Sequence, residues 1–484
     1  VTNWSATHDA SPTVYYQPDT TSSVESLLSA AHAAGSKLRV VGSALSPNGI
    51  GLSEGGMLNM VLCDRVLSID AEKMQATVEA GARVKEVVEA LRPYGLTLQN
   101  YASIAEQQIG GFLQVGAHGT GARVPPVDEQ IIRMRLQTPA LGSLELSEEH
   151  NPRLFRLARV GLGALGIVTE VTIQCVPAHR LLQHTYTDTR EGVIKRHQEN
   201  LAHQHMRYMW IPYTDTVVVV TCDPLPPGMP PPPPPADEPR ATAPLRELLL
   251  SKSSQVSAAE AAEMNFAQLR DALLAIAPLD TEHIKQVNAA EALFWQRSQG
   301  YRVDWSDQVL GFECGGQQWV SEVVMPCGSA HLSDGRDLQY LTELLALIEG
   351  RGLPAPSPIE QRWTLRSSSP MSPAYSDSAD DLHSWVGIIM YLPEEPAQRE
   401  AITKQFWEYN AMCRRELWPK FGAHQHWAKI EMPEGAEEAA WVKRRLRERF
   451  PIAEFNQTRR MLDPKGILAN KMVDDILSEG EVSS

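Results

Sequence analysis

Apolar and polar residues recur along this chain with two periods, and the switches between them mark its elements. Over residues 22–35 the apolar positions Val24, Leu27, Leu28 and Ala31 keep helical spacing, behind a Ser cap and ahead of Gly35. KLRVVG follows as a short β-branched strand. The order then reverses: a strand over 76–80 leads into a helix with Val84, Val87, Val88 and Leu91 inward, stopped by Pro93 and Gly95. Such short connections predict an α+β beginning. NPRLFRLARVGLG reads as helix and IVTEVTIQCV as strand. After Cys175 the texture changes. The proline run over 226–239 predicts an exposed polyproline loop, helical stretches dominate 244–299, and strands return at 308–325 and 383–392. A helix over 401–418 comes before the closing segments, and no internal repeat is present.

Composition narrows the class. A chain of 484 residues exceeds one ordinary core, so two or more domains are expected. With 43% hydrophobic and 21% charged residues it reads as globular. No apolar run reaches the ~18 residues of a transmembrane helix. The net charge of −15 disfavours nucleic acid and suits a basic protein partner, although acidity also serves solubility. Six scattered cysteines show neither CxxC nor metal-ligand spacing, so free thiols are expected and no metal. The chain opens on VTNWSATHD with no signal or transit pattern, which by itself fixes no compartment.

Chemistry is suggested at four places. The loop Gly42, Ser43, Ala44, Leu45, Ser46 follows a strand with small residues that let a backbone approach a large flat group, yet Leu45 is inert. Gly161 to Gly166 matches G-x-G-x-x-G, but a helix precedes it and a strand follows, the reverse of a dinucleotide site. Five glycines stand within twelve residues at Gly110, Gly111, Gly116, Gly119 and Gly121. They could offer a nest of amides to a pyrophosphate, the alternative being a flexible surface loop. His118 alone reads as a structural histidine. Glu360 and Arg362 share one face of a predicted strand, either as a surface ion pair or as a site that binds hydroxyls and stabilises negative charge. In HWAK, His426 and Lys429 bring a base-like group and a cation beside one aromatic.

Taken together these stretches are recognisable. SPNGIG, YGLTLQNYASIAEQQIGG, QVGAHGTGAR, GLGALGIVTEVTIQC, YMWIPYTDTVVVVTC, LGFECGGQQWVSEV, IEQRW with SPMSPA, and HWAK occur in one order over nearly the whole chain. In them the chain resembles the aldonolactone oxidoreductases of the vanillyl-alcohol-oxidase flavoprotein family, and the plant-type dehydrogenases among them. The resemblance implies an α+β fold: an FAD-binding domain over 1–180, a cap or substrate domain over 181–429 with a proline-rich loop at 224–239, and a C-terminal segment, 430–484, returning to the FAD domain. Residues 42–46, Ala102, Ser103, Ile109 and the glycines and His118 up to Gly121 would hold the flavin ring and pyrophosphate, with Gly166 and Val168 along the adenosine side. Leu45 stands where many relatives carry the histidine that bonds to the flavin, so FAD is expected to be held noncovalently.

The implied activity is oxidation of an aldonolactone, L-galactono-1,4-lactone, to ascorbate. Glu360 and Arg362 would be catalytic, with Ser103, His426 and Lys429 on the substrate. Ala102 would obstruct oxygen at the flavin, and cytochrome c would take the electrons beside the mitochondrial inner membrane. Cys314 is expected to be a redox-sensitive thiol, the alternative being a buried, inert one. Rival readings are an oxidase that uses oxygen and releases peroxide, and a respiratory complex I assembly role.

Overall fold

The helix Thr21–Ala34 is capped by Thr20, whose side chain accepts from the Ser23 amide, and ends on Gly35 in the left-handed region. It buries Val24 and Leu28 against Leu38, Leu58, Ile467 and Leu468, so the two ends of the chain share a core from the first helix onward. The computed structural model describes residues 1–226, 228–230, 232–233, 238–311 and 315–479. Cys314 and part of the proline run lie outside the described residues.

The strand Leu38–Val41 pairs in parallel with Gly56–Asn59, which pairs in turn with Val14–Tyr16. A second, antiparallel sheet runs in the order Val66–Asp70, Gln75–Glu79, Ile167–Gln174, Ile131–Thr138, Gly142–Ser147. Its core takes in Val84, Val87, Leu113 and Val171, together with Val442, Leu446, Phe455 and Val473 from the end of the chain. Leu38 donates its amide to Ile467 O at 2.8 Å, a main-chain link between the two ends.

An eight-stranded sheet carries the middle of the chain. Its order is Gly300–Trp305, Arg180–Thr189, Thr216–Pro224, His205–Trp210, Ile359–Leu365, Asp381–Tyr391, Gln318–Ser329, His424–Gln425. Side chains alternate between its faces. Tyr208, Trp210, Ile359, Trp363, Val323, Val386 and Ile388 pack with Leu344 and Phe406 from the helices Arg336–Arg351 and Pro396–Glu416. The alternate positions Arg207, Met209, Glu360, Arg362, Gly387 and Glu322 face a cavity instead.

The structure corrects three sequence readings. The glycine-rich block begins as a helix, Ile109–Gln114, because Ile109, Phe112 and Leu113 are buried on one side of it. Residues 306–310 are helical rather than extended, and the strand starts at Gln318; a run as short as Val309-Leu310 carries no period. The helix expected over 401–418 starts earlier, at Pro396, where a fixed φ suits the first turn. Among the described residues no helix is long and apolar enough to cross a membrane.

Candidate active site

Four neighbouring strands of the large sheet set the floor of the site by register alone. Glu322 is paired with Gly387, Gly387 with Glu360, and Glu360 with Met209, giving one row across the sheet. Two residues along, Val324, Trp385, Arg362 and Arg207 form the next row. Gly387 places no side chain between the two carboxylates, and a Cβ built there would meet only Glu322 Oε1 at 3.8 Å.

The charged groups alternate in sign across these rows. Arg207 Nη1 lies 3.6 Å from Glu360 Oε1, Arg362 Nη2 lies 3.1 Å from Glu360 Oε2 and 3.6 Å from Glu322 Oε1, and Lys429 Nζ donates to Glu322 Oε2 at 2.5 Å. Ser103 Oγ accepts from Arg362 Nη1 at 3.4 Å, which brings the loop after Tyr101 onto the sheet. Glu322 is only 4% exposed. Burial alone would raise its pKa, but Lys429, then His118 and Arg362, hold it well below its ordinary value. The carboxylate therefore stays ionised. Three cations stand against two carboxylates in this chain of pairs, an arrangement that favours negative charge developing on a bound hydroxyl.

His118 stacks on Trp385 with ring centroids 4.0 Å apart and planes 4° apart, and His426 meets His118 edge-on at 5.8 Å. Burial lowers the pKa of both, helped by the charges of Arg362 and Lys429 and opposed by Glu322. His118 Nδ1 lies 2.8 Å from Gly119 O and Nε2 lies 3.1 Å from Glu322 Oε2, so either neutral tautomer has an acceptor to hand. The ligating atoms of His118, Glu322 and His426 fall within 4.8 Å of one another. Lys429 and Arg362 already pair with this carboxylate, so a metal ion would have to compete with two cations for it.

The cavity, about 500 Å³, runs from this floor to the loop after Leu38–Val41. Gly42, Ser43, Ala44, Leu45, Ser46, Ala102, Ser103, Gly110, Gly111, His118, Gly166, Val168, Glu360, Arg362, His426 and Lys429 all line it. Ile109, Gly116, Gly119 and Gly121 are not among its lining residues. Gly119 has φ +71°, and a Cβ there would lie 2.1 Å from Asn100 Oδ1, so the close backbone approach requires glycine. Gly121 donates its amide to Trp363 O at 2.6 Å, tying this block to the eight-stranded sheet.

The loop is shaped to receive an electron-rich group. Among the described residues the amides of the half-buried Ser43, Ala44, Leu45 and Ser46 donate to no protein acceptor, which leaves them available to a bound group. Gln107 Oε1 and Gln108 Oε1, on residues that line the same cavity, are buried acceptors with no protein partner. Such donors and acceptors fit the pyrophosphate and the polar ring edge of FAD.

Several residues that build the site escaped sequence reasoning: Arg39, Arg207, Glu322, Trp385 and the N-terminal Asn3 and Trp4. The signal for three of them was a charge within an apolar strand, in KLRVVG, HMRYMW and QWVSEVVM. Arg39 donates to Ile50 O, Gly163 O, Leu468 O and Leu162 O, and burial lowers its pKa to about 10. It thereby fixes the G-x-G turn, with Leu162 and Gly163 both at positive φ, against the cavity. The five described cysteines are buried, and burial raises their thiols, Cys63 and Cys175 to about 11, Cys222 and Cys413 to about 12, and Cys327 well above its ordinary value.

Comparison with known proteins agrees with this geometry. The FAD binding domain family matches residues 12–146, and the D-arabinono-1,4-lactone oxidase family matches residues 171–476. The chain belongs to the aldonolactone oxidoreductase family, and its fold is the vanillyl-alcohol-oxidase type of FAD-binding flavoprotein. It is 51% identical over 492 residues to the mitochondrial L-galactono-1,4-lactone dehydrogenase of Arabidopsis thaliana, covering 98% of this chain and 81% of that protein. An Oryza sativa subsp. japonica protein of the same description (dehydrogenase 1) is 50% identical, covering 100% and 84%. The L-gulonolactone oxidase of Mus musculus is 26% identical, covering 98% and 97%. A solvent-stable cholesterol oxidase shares the fold with TM-score 0.72 at 15% identity, covering 98% and 97%.

Proposed function

We propose that this protein is an FAD-dependent dehydrogenase that oxidises L-galactono-1,4-lactone to L-ascorbate and passes the electrons to cytochrome c. The observation that carries the reading is the charge chain Arg207, Glu360, Arg362, Glu322, Lys429 on the floor of a cavity of about 500 Å³, in a chain about half identical to lactone dehydrogenases. The domain reading is an FAD domain over 1–180 joined by 430–484, with the cap between them.

FAD, when bound, supplies the hydride acceptor, and loop 42–46, Ala102, Gly110, Gly111, Gly166 and Val168 would hold it. Arg362 donates to the oxygen of the reacting hydroxyl beside the lactone carbonyl and stabilises the alkoxide as the hydroxyl proton passes to solvent water. Arginine stays protonated, so its part is electrostatic rather than basic. Glu360, fixed between Arg207 and Arg362, accepts from neighbouring hydroxyls and orients the lactone. Ser103 and Lys429 complete the polar contacts, and His426 keeps the floor rigid beside His118. The resulting ketone tautomerises to the enediol of ascorbate.

With leucine at position 45, FAD is held without a covalent bond. The charge of −15 supports transient docking of basic cytochrome c. The relatives' names support a mitochondrial setting, placed here beside the inner membrane on the intermembrane-space side. Cys314, in the segment GFECGGQQW that resembles the cap near the substrate, is the candidate for oxidative sensitivity.

The test measures ascorbate formed from the lactone alongside reduction of cytochrome c, with oxygen uptake and peroxide release followed in parallel. Ascorbate with stoichiometric cytochrome c reduction supports the dehydrogenase. Peroxide as the main reduced product would make the protein an oxidase. Ala102 lines the cavity and is half-buried against the core, where a methyl can close a narrow path, so Ala102→Gly is expected to raise oxygen consumption.

A further inference from the structure

We propose that the segment 3–8 is a cofactor-positioning strap: it holds the carbonyl side of the loop 44–47, so that the amide side of that loop stays presented to FAD. The inference rests on FAD lying along this loop.

The strap is built from bonds that converge on a few loop carbonyls. Asn3, 4% exposed, donates through Nδ2 to Ser46 O at 3.1 Å and to Pro47 O at 2.9 Å. Ser5 Oγ and Thr7 Oγ1 also donate to Pro47 O, at 3.2 and 2.6 Å. The Trp4 amide donates to Ala44 O at 2.9 Å, and Ala44 stands at φ +51°, a left-handed conformation that an alanine holds only when its surroundings impose it. The carbonyls of Ala44, Ser46 and Pro47 are thus taken up by the strap, while the amides of residues 43–46 have no protein acceptor. The loop's carbonyls are fixed and its amides remain available to bind.

The strap also ties itself down and reaches the cavity. Asn3 Oδ1 accepts from the amides of Thr7 and His8 at 3.0 and 3.1 Å, which closes the turn. His8 Nε2 lies 3.2 Å from Glu431 and its ring meets Trp319 edge-on at 5.7 Å, while Arg399 donates to Ala6 O at 2.8 Å. Trp4 itself lines the cavity beside Ala44 and Leu45. With leucine at position 45 supplying no bonding atom, this preorganisation bears directly on how tightly FAD is held.

Asn3→Asp separates the two jobs of the side chain: it keeps the acceptor for Thr7 and His8 but loses both donors to the loop. Apoprotein is titrated with FAD and binding is followed by flavin fluorescence, with thermal unfolding of the apoprotein measured alongside. The expected result is an FAD dissociation constant raised at least tenfold, in an apoprotein that melts lower than the parent but stays folded at the titration temperature. Should Asn3→Asp not fold, Trp4→Ala and Trp4→Phe decide, since both keep the amide bond to Ala44: Ala weakens FAD binding and Phe restores it. Ser46→Trp, which fills the cavity from the loop, checks the placement of FAD. Parent-like FAD affinity in Ser46→Trp would overturn the placement. Loss of affinity in Ser46→Trp with parent-like affinity in the strap variants would overturn the strap alone.

Discussion

Glu322 Oε2 accepts a hydrogen bond from Lys429 Nζ at 2.5 Å, joining an interior strand to the loop that follows the last strand of the sheet. The same carboxylate touches His118 and faces Arg362, so it fixes three groups around the candidate site while remaining ionised. Glu322→Gln keeps the shape and removes the charge. We expect kcat/KM to fall about a hundredfold, close to 2.7 kcal/mol of transition-state stabilisation. Thermal stability should also fall, because removing one partner of a buried pair leaves the others uncompensated. The stability difference from the parent should hold at neutral pH and close as pH drops below the ordinary glutamate value of 4.5, since the folded carboxylate titrates lower still. Denaturant unfolding of both proteins across that range checks it.

Gly387 separates Glu322 from Glu360 by a position without a side chain. Gly387→Val puts two methyl groups onto the floor between the carboxylates. The lactone KM should rise at least tenfold, while FAD binding, proposed to use the loop 42–46 at the other end of the cavity, should change little. Steady-state kinetics with a parallel FAD titration separates the two effects.

Leu45 lines the cavity in the loop whose amides, among the described residues, have no protein acceptor. Acid precipitation should release all of the flavin into the supernatant, leaving the pellet colourless. Flavin retained on washed, precipitated protein would mean a covalent bond formed elsewhere.

Buried histidines are expected to weaken the fold in acid. Burial lowers His205 and His383 to about 4 and His424 to about 3, and His118 and His426 shift the same way. These rings fold in the neutral form, so their contribution is present above the ordinary value of 6.5 and is lost as pH falls below it. Stability should decline from pH 6.5 downward by about 1.4 kcal/mol per pH unit for each ring that charges only on unfolding. Melting temperature against pH, compared with His205→Gln, measures the slope.

Much of the site was legible before the structure, for physical reasons that differ by residue. Glu360 and Arg362 could be placed on one face because a strand has period two, and the structure brings them to 3.1 Å. The loop 42–46 announced itself by small residues after a strand. Glu322 and Arg207 could not be placed the same way, since their roles depend on which strands pair, and that register joins residues far apart in sequence. Asn3 and Trp4 were invisible because a short polar segment has no period. The helix at Ile109–Gln114 was hidden by its glycines, whose weak helix propensity is overridden by burial of Ile109, Phe112 and Leu113.

The most direct measurement mixes the FAD-loaded enzyme with L-galactono-1,4-lactone under anaerobic conditions and follows the flavin absorbance, in the parent and in Arg362→Ala. The account predicts rapid bleaching in the parent, a rate at least a hundredfold lower in the variant, and recovery of colour when cytochrome c is added to the reduced parent. A parent flavin that the lactone does not bleach, or equal rates in the two proteins, would contradict it.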